Sequence, residues 1–556
     1  MNDEISEAAS LLLNCEEKGL APAYIINPLT YKEKRTSFFK QAAPERTEPV
    51  HYTSEKEEIF IVSDLHIASG RNKSGVYRGT ENFFADESFA RFLDYANRTK
   101  KTVSAILIIN GDIFDFLRIT DYPGKVRQVR PVKKLKKMLK FEPVTKYQKP
   151  SDKDVRDEYD EWLTELAKVG ITKSRQEIEN CISDRERTYG LSTDDYKTIY
   201  RLIKIRQGHP EFCKALSLWI ENGNKLIVVK GNHDVEICFP AVRNYLRLII
   251  AEGFSDSSKS TSVILKDIVL PNITFIDDSI VIDKYLLAEH GHRYDKFSFV
   301  LDSPLLKGGK QVNIPFGSFI NRYLLNQAEL FLPFLDNVRP AANILPMLIR
   351  ENFPLAIKVL FQHIPLTLRI LTTSGRYMWY MFNRIFWFFI ALVVPLVLVV
   401  VLNWQFITHT GEEVSKLRET SGFISALLSE AASLLMLVLS YFFSRFVAWL
   451  QVTEPSSLNT YAEELANHTD YKIITMGHTH NPGEYIFGGK CRFYNTGTWV
   501  PVIEISNAEV RGDKVYTFLH LTRDMNGNIQ PPYGGLLQRW NDDAGRAEPL
   551  VLIEKK

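Results

Sequence analysis

Five short apolar runs recur along the chain, and each leads without a break into polar groups able to bind cations. The first, Ile59-Phe60-Ile61-Val62, is followed by Ser63-Asp64-Leu65-His66. The second, Ala105-Ile106-Leu107-Ile108-Ile109-Asn110, meets Gly111-Asp112, and the third, Leu226-Ile227-Val228-Val229-Lys230, meets Gly231-Asn232-His233-Asp234. The fourth, Tyr285-Leu286-Leu287-Ala288-Glu289, meets His290-Gly291-His292. The fifth, Lys472-Ile473-Ile474-Thr475-Met476, meets Gly477-His478-Thr479-His480. Short continuous apolar runs bounded by glycine and polar residues predict buried strands. Residues 88–99 and 210–222 read as helices between them, so the order is that of βαβ units in an α/β protein. Side chains at such strand ends fall in the crevice where open α/β sheets bind ligands.

The rest of the pattern is different. Residues 152–206 read as helical and strongly charged, and residues 125–149 carry ten Lys or Arg against the single Glu142. Residues 297–372 are rich in Leu, Ile, Phe and Pro, with apolar faces broken by Arg322, Glu329, Lys358 and Arg369. Residues 385–402 hold 18 consecutive uncharged positions. Crossing a bilayer takes roughly 20 apolar residues, and Trp379, Trp387 and Trp404 stand where an aromatic belt would lie. Residues 423–450 are apolar except for Glu430 and Arg445. The two stretches together predict a transmembrane hairpin with spans at 385–404 and 423–444. Arg369, Arg376 and Arg384 ahead of the first span favour a cytoplasmic catalytic side. The expected location is therefore the inner or plasma membrane, and an N-terminus without a signal-peptide apolar region agrees with it.

Composition changes little in this picture. The chain has 556 residues, with 68 basic and 66 acidic side chains and a net charge of +2, so no global field points to nucleic acid. Its five cysteines show neither metal-type spacing nor disulfide density, which suits a reducing compartment. The expected domains are an N-terminal extension (1–55), a core (56–296) with a charged helical insertion at 120–210, a hydrophobic helical insertion (297–470), and the end of the core with its tail (471–556).

A mixture of Asp, Asn and His suits hard-to-borderline divalent ions such as manganese, iron or zinc. Glycines at the turns let the backbone bend sharply and bring those groups inward. Asp64-x-His66, Gly111-Asp112, Gly231-Asn232-His233-Asp234, His290 and Gly477-His478-x-His480, in this order, resemble the calcineurin-like metallophosphoesterases. The likeness covers about 57–119, 210–296 and 471–525. It implies a four-layer β-sandwich flanked by helices, and two divalent metal ions, manganese first, with iron or zinc as alternatives. By position, Asp64, His66, Asp112 and His480 would hold the first ion, and Asp112, Asn232, His290 and His478 the second, with Asp112 bridging. His233 would be the catalytic imidazole and Asp234 the group that orients it. His292 would be a ligand in place of His290, a group that supports the ligands from behind, or one that faces the substrate.

The arrangement is most similar to the UDP-2,3-diacylglucosamine pyrophosphohydrolases, which have Arg and Asp where this chain has His233 and His292. The expected activity is a membrane-attached, metal-dependent hydrolysis of a phosphate or pyrophosphate ester, with a lipid or nucleotide-lipid substrate and the lipid bilayer as a partner. The alternative is a nuclease or cyclic-nucleotide phosphodiesterase, favoured only by the basic run at 125–149.

Overall fold

Strand β2 (Glu58–Val62) is buried at every position, so its alternating side chains serve two layers. Ile59 and Ile61 pack with Ile106, Ile108 and Ile227 against Ile280, Ile282, Leu286 and Ile473, which belong to a second sheet. Phe60 and Val62 point the other way, into a layer shared with Phe89, Phe92, Phe212 and Trp219. These positions come from a computed structural model. It describes residues 2–13, 48–125 except 73, 74, 78 and 79, and 150–326 except 256, 257, 296, 297, 301–303 and 307. It also describes 338–339 and 458–550 except 505–508, 512–514, 524–528 and 530–536. All of them belong to one compact unit, Met1–Arg339 with Glu454–Lys556.

The strands in chain order begin with β1 (Val50–Tyr52), β2, β3 (Ala105–Asn110), β4 (Lys225–Val229) and β5 (Ile273–Ile276). They continue with β6 (Ser279–Ile282), β7 (Leu286–Glu289), β8 (Val338–Arg339), β9 (Ile473–Met476), β10 (Gly483–Phe487) and β11 (Cys491–Asn495). The last are β12 (Val502–Glu504), β13 (Glu509–Arg511), β14 (Thr517–Leu521), β15 (Leu537–Asn541) and β16 (Arg546–Pro549). One sheet runs β16-β15-β14-β2-β3-β4-β5 and the other β1-β6-β7-β9-β11-β10, with β13-β12-β8 as a small third sheet. Strands β2 to β5 are mutually parallel, as are β7, β9 and β11. The chain is thus a mixed α/β protein built on two facing sheets.

Helices cover both outer faces. Helix Asp86–Thr99 buries Phe89, Phe92, Leu93 and Ala96 along one stripe, and carries Asp86 and Glu87 at its start and Arg98 at its end, as the helix dipole favours. Behind the second sheet, helix Asn459–His468 adds Leu458 and Ala462 to a layer with Leu287, Ile474, Met476 and Phe493.

The charged stretch after residue 150 is no satellite. Helices Asp152–Lys168, Arg175–Asn180 and Asp184–Tyr189 each start with a reciprocal capping box, from Ser151, Ser174 and Ser183. Tyr159, Trp162, Tyr196 and Tyr200 from this stretch are buried in the main core. Most of the basic run, 126–149, lies outside the described residues. The N-terminal extension is integral in part: helix Asn2–Leu13 buries Ala8 and Leu12 in that core, and β1 pairs with β6 at a sheet edge.

The transmembrane hairpin is corrected. Among the described residues no helix is long and apolar enough to cross a membrane. The longest described helix of the insertions, Asp152–Lys168, is amphipathic and charged rather than apolar all round. The stretches 385–404 and 423–444 lie outside the described residues, as do most of 297–372 and all of 340–457. An apolar run alone does not separate a span from a buried segment. The membrane localisation was built on that hairpin and is withdrawn with it.

Candidate metal centre

Because β2, β3, β4, β7 and β9 are parallel within their sheets, their C-terminal ends emerge together, and the loops that follow are tied to one another. The Asp64 N–H donates to the Gly111 carbonyl at 3.1 Å, His66 N–H to Asp112 at 2.9 Å, and Gly477 N–H to His290 at 3.0 Å. Asp64, His66, Asp112, His478 and His480 all have left-handed backbone, with φ between +48° and +69°. They are five of the nine non-glycine residues so placed among the described residues. Such conformations cost on the order of 1 kcal/mol or more each and concentrate at functional sites. The neighbouring strands enforce them here.

The glycines at these turns serve two different ends. Gly111 has φ +88°, and a Cβ there would lie 2.2 Å from His290 Nδ1. At Gly231 and Gly477 the reason is close approach: a Cβ would fall 2.0 Å from Asp112 Oδ1 and 2.4 Å from Asp64 Oδ2 respectively. Gly231→Ala is accordingly expected to cost about 1–3 kcal/mol from overpacking, and to weaken metal binding by displacing the Asp112 carboxylate. Thermal unfolding and a metal titration of the same variant check both effects.

The side chains converge. His66 Nε2 and His480 Nε2 are 2.9 Å apart. Asp64 Oδ1 is 3.3 Å from His480 Nε2, 3.8 Å from His66 Nε2 and 4.0 Å from His290 Nε2. Asp112 Oδ2 lies 3.0 Å from His290 Nε2 and 3.8 Å from His66 Nε2. Asp64, His66 and His480 form one cluster able to hold a metal ion, and Asp112, His290 and His478 form another. A third overlaps both, with His66, Asp112 and His233.

The donor set fits cations. Asn232 is 3% exposed, and its Oδ1, like Asp64 Oδ1, is buried without a hydrogen-bond partner among the described residues. An oxygen left so would cost about 1–3 kcal/mol, and a metal ion satisfies it. His290 Nδ1 lies 2.9 Å from the Asn110 carbonyl, which can only accept. Nδ1 therefore carries a proton, and Nε2 is the nitrogen turned to the Asp112 carboxylate. Nε2 and Asp112 Oδ2 stand 3.0 Å apart, a contact that needs positive charge there, from a second proton on the ring or from a cation. The electrostatics agree: burial opposes ionisation of Asp64 and Asp112, yet the surrounding imidazoles hold both carboxyls well below their ordinary range. Burial likewise opposes charge on His66 and His290, but the carboxylates push them up to about 10 and about 9. The cluster calls for positive charge, which a bound metal ion could supply in place of those protons.

His233 stands beside this cluster, its ring edge-on to His66 with centroids 4.7 Å apart. Its N–H donates to Asp112 Oδ1 at 2.8 Å, and its Nδ1 pairs with Asp115 Oδ2 at 3.0 Å. Burial is outweighed by Asp115 and Asp112, which raise the imidazole to about 9. The expected orienting role of Asp234 is corrected. Asp234 accepts from Gly231 N–H at 2.6 Å and Ile113 N–H at 2.8 Å, stapling the two loops together away from the imidazole. Asp115 was missed by reading for adjacent residues; its signal is a second carboxylate three places after Asp112 in the same loop.

His292 is buried beside His290, ring centroids 5.4 Å apart, and belongs to none of the three clusters. Burial, then the charges of His290 and Lys230, hold its pKa well down. The run from Asn495 to Trp499 buttresses Asp64 from behind: Thr498 Oγ1 donates to the Asp64 carbonyl at 2.8 Å, and Ser63 Oγ meets Thr496 Oγ1 at 2.7 Å. Comparison of the chain with protein-family models, curated proteins and solved structures finds no match.

Proposed function

We propose that the chain is a dinuclear-metal phosphoesterase of the calcineurin-like type, hydrolysing a phosphate or pyrophosphate ester. The observation that carries this reading is the shared carboxylate. Asp112 stands within reach of both imidazole groups, His66 on one side and His290 on the other. Asp64, His66, Asp112 and His480 would hold one ion, and Asp112, Asn232, His290 and His478 the other. Manganese, iron and zinc all accept this mixture of carboxylate, amide and imidazole. Such a pair of ions, when bound, would polarise a phosphoryl oxygen and supply a water-derived nucleophile at neutral pH. His233, held by Asp115, is placed to donate a proton or a hydrogen bond to charge developing on the ester oxygens.

The test is hydrolysis of p-nitrophenyl phosphate and bis-p-nitrophenyl phosphate by protein loaded with each of the three metals. His233→Ala is expected to lower kcat about 10²–10³-fold while leaving metal stoichiometry at two. Protein that binds no metal, or that cleaves neither ester with any metal, overturns the reading.

A further inference from the structure

The two imidazoles assigned to the second ion are both gripped from outside the site, and the grips differ. His290 is held through its Nδ1 by a backbone carbonyl, so it offers Nε2. His478 is held through its Nε2, which lies 3.0 Å from Asp295 Oδ2. Asp295 is 183 residues away in sequence and only 4% exposed. The same Oδ2 accepts from the Ser298 hydroxyl at 2.7 Å. A carboxylate can only accept, so the proton between the two groups sits on His478 Nε2. His478 then presents a bare Nδ1.

The surroundings hold both partners of this contact. The short helix His292–Tyr294 turns the chain directly after His290, with Asp295 N–H donating to the His292 carbonyl at 3.1 Å. Tyr294 anchors that turn, its hydroxyl donating to Glu289 at 2.8 Å and its ring stacked on Tyr461 at 4.6 Å. On the other side, His478 N–H donates to Asp64 Oδ2 at 3.0 Å, and Asn495 Nδ2 donates to the Gly477 carbonyl at 2.9 Å. Both backbones are tied down, so the carboxylate selects which nitrogen of the ring carries the proton.

We infer that Asp295 is a positioning residue for the second metal: by taking the Nε2 proton of His478 it fixes the tautomer that leaves Nδ1 free to bind the ion. The inference rests on the dinuclear reading above. Carboxylates that orient a ligating histidine are typically worth about 10–100-fold in metal affinity. That loss falls on the second ion, because His478, the ring that Asp295 holds, is assigned to that ion.

The experiment uses the full chain in two states. In metal-free protein labelled with ¹⁵N-histidine, with His478 assigned through a His478→Gln variant, the wild type is expected to show the Nε2–H tautomer. Asp295→Ala is expected to shift that ring to a mixture. Titrated with cobalt(II), Asp295→Ala should keep the first equivalent at wild-type affinity and weaken the second about 10–100-fold. Asp295→Glu should restore part of that loss, and Asp295→Asn, which preserves volume, should fall between if the alanine variant does not fold. An unchanged tautomer, or a second equivalent bound as tightly as in the wild type, overturns the inference. A wild type that binds no second equivalent removes the dinuclear reading, whereas the tautomer, read without metal, still decides the role of Asp295.

Discussion

Asp112→Asn is expected to reduce hydrolysis to background and metal content to one ion or none. The substitution keeps the shape of the side chain and removes its charge. Asp112 Oδ2 stands 3.8 Å from His66 Nε2 and 3.0 Å from His290 Nε2, and Asp112 Oδ1 receives the His233 backbone N–H. Without it, two cations would be drawn together with no anion between them. A metal pair supplies several kcal/mol of stabilisation to developing charge, and each 1.36 kcal/mol is tenfold in rate. A fall of more than about 10⁴-fold follows. Metal analysis and aryl-ester turnover on the same preparation check it. Wild-type turnover in the Asn variant would show that the chemistry lies elsewhere.

His209→Ala is expected to destabilise the fold by about 3–5 kcal/mol, the usual result of removing one partner from a buried ionic cluster. His209 is fully buried, with Nδ1 2.8 Å from Asp86 Oδ1 and Nε2 3.2 Å from Glu81 Oε2. Glu81 in turn accepts from Ala68 N–H at 3.1 Å and Gly70 N–H at 2.5 Å, so it grips the loop leaving His66. Gly70 and Gly208 meet there so closely that a Cβ on Gly208 would lie 2.1 Å from the Ser69 carbonyl. Burial by itself would lower the pKa of His209, but the Glu81 charge and the Asp86 hydrogen bond raise it from 6.5 to about 9. The folded-state pKa is raised, so the contribution is whole below pH 6.5 and disappears as pH climbs through about 9. On the acid side Glu81 has a lowered folded-state pKa, and its share is lost as pH falls through that value. Denaturant unfolding at intervals from pH 6 to 10 should show a decline for the wild type that His209→Ala lacks. Parallel profiles for the two proteins would sink the assignment.

Much of the site was legible because its ligands obey local rules. Each stands just beyond a continuous apolar run, and β2, β3, β4, β7 and β9 end within a residue or so of where the pattern stops. The reading failed where a contact skips along the chain. Asp234 is next to His233 in sequence, but the turn sends its carboxylate to Gly231 and Ile113, and Asp115 takes the imidazole instead. At Gly231 the sequence shows only a glycine that lets the backbone bend sharply, whereas its place is set by the Asp112 carboxylate from a distant strand end, whose Oδ1 accepts from the His233 N–H.

The amino-acid sequence alone thus determined the strands, the residue types at their ends and the cation-binding character of those residues, since strand burial and ligand chemistry depend on neighbours a few positions apart. Packing alone decided which carboxylate holds which imidazole, how the residues after 150 join the core, and that no described helix has the length and polarity to cross a membrane. These depend on groups brought together from distant parts of the chain, such as Asp295 and His478, and nothing periodic along the sequence marks such a meeting.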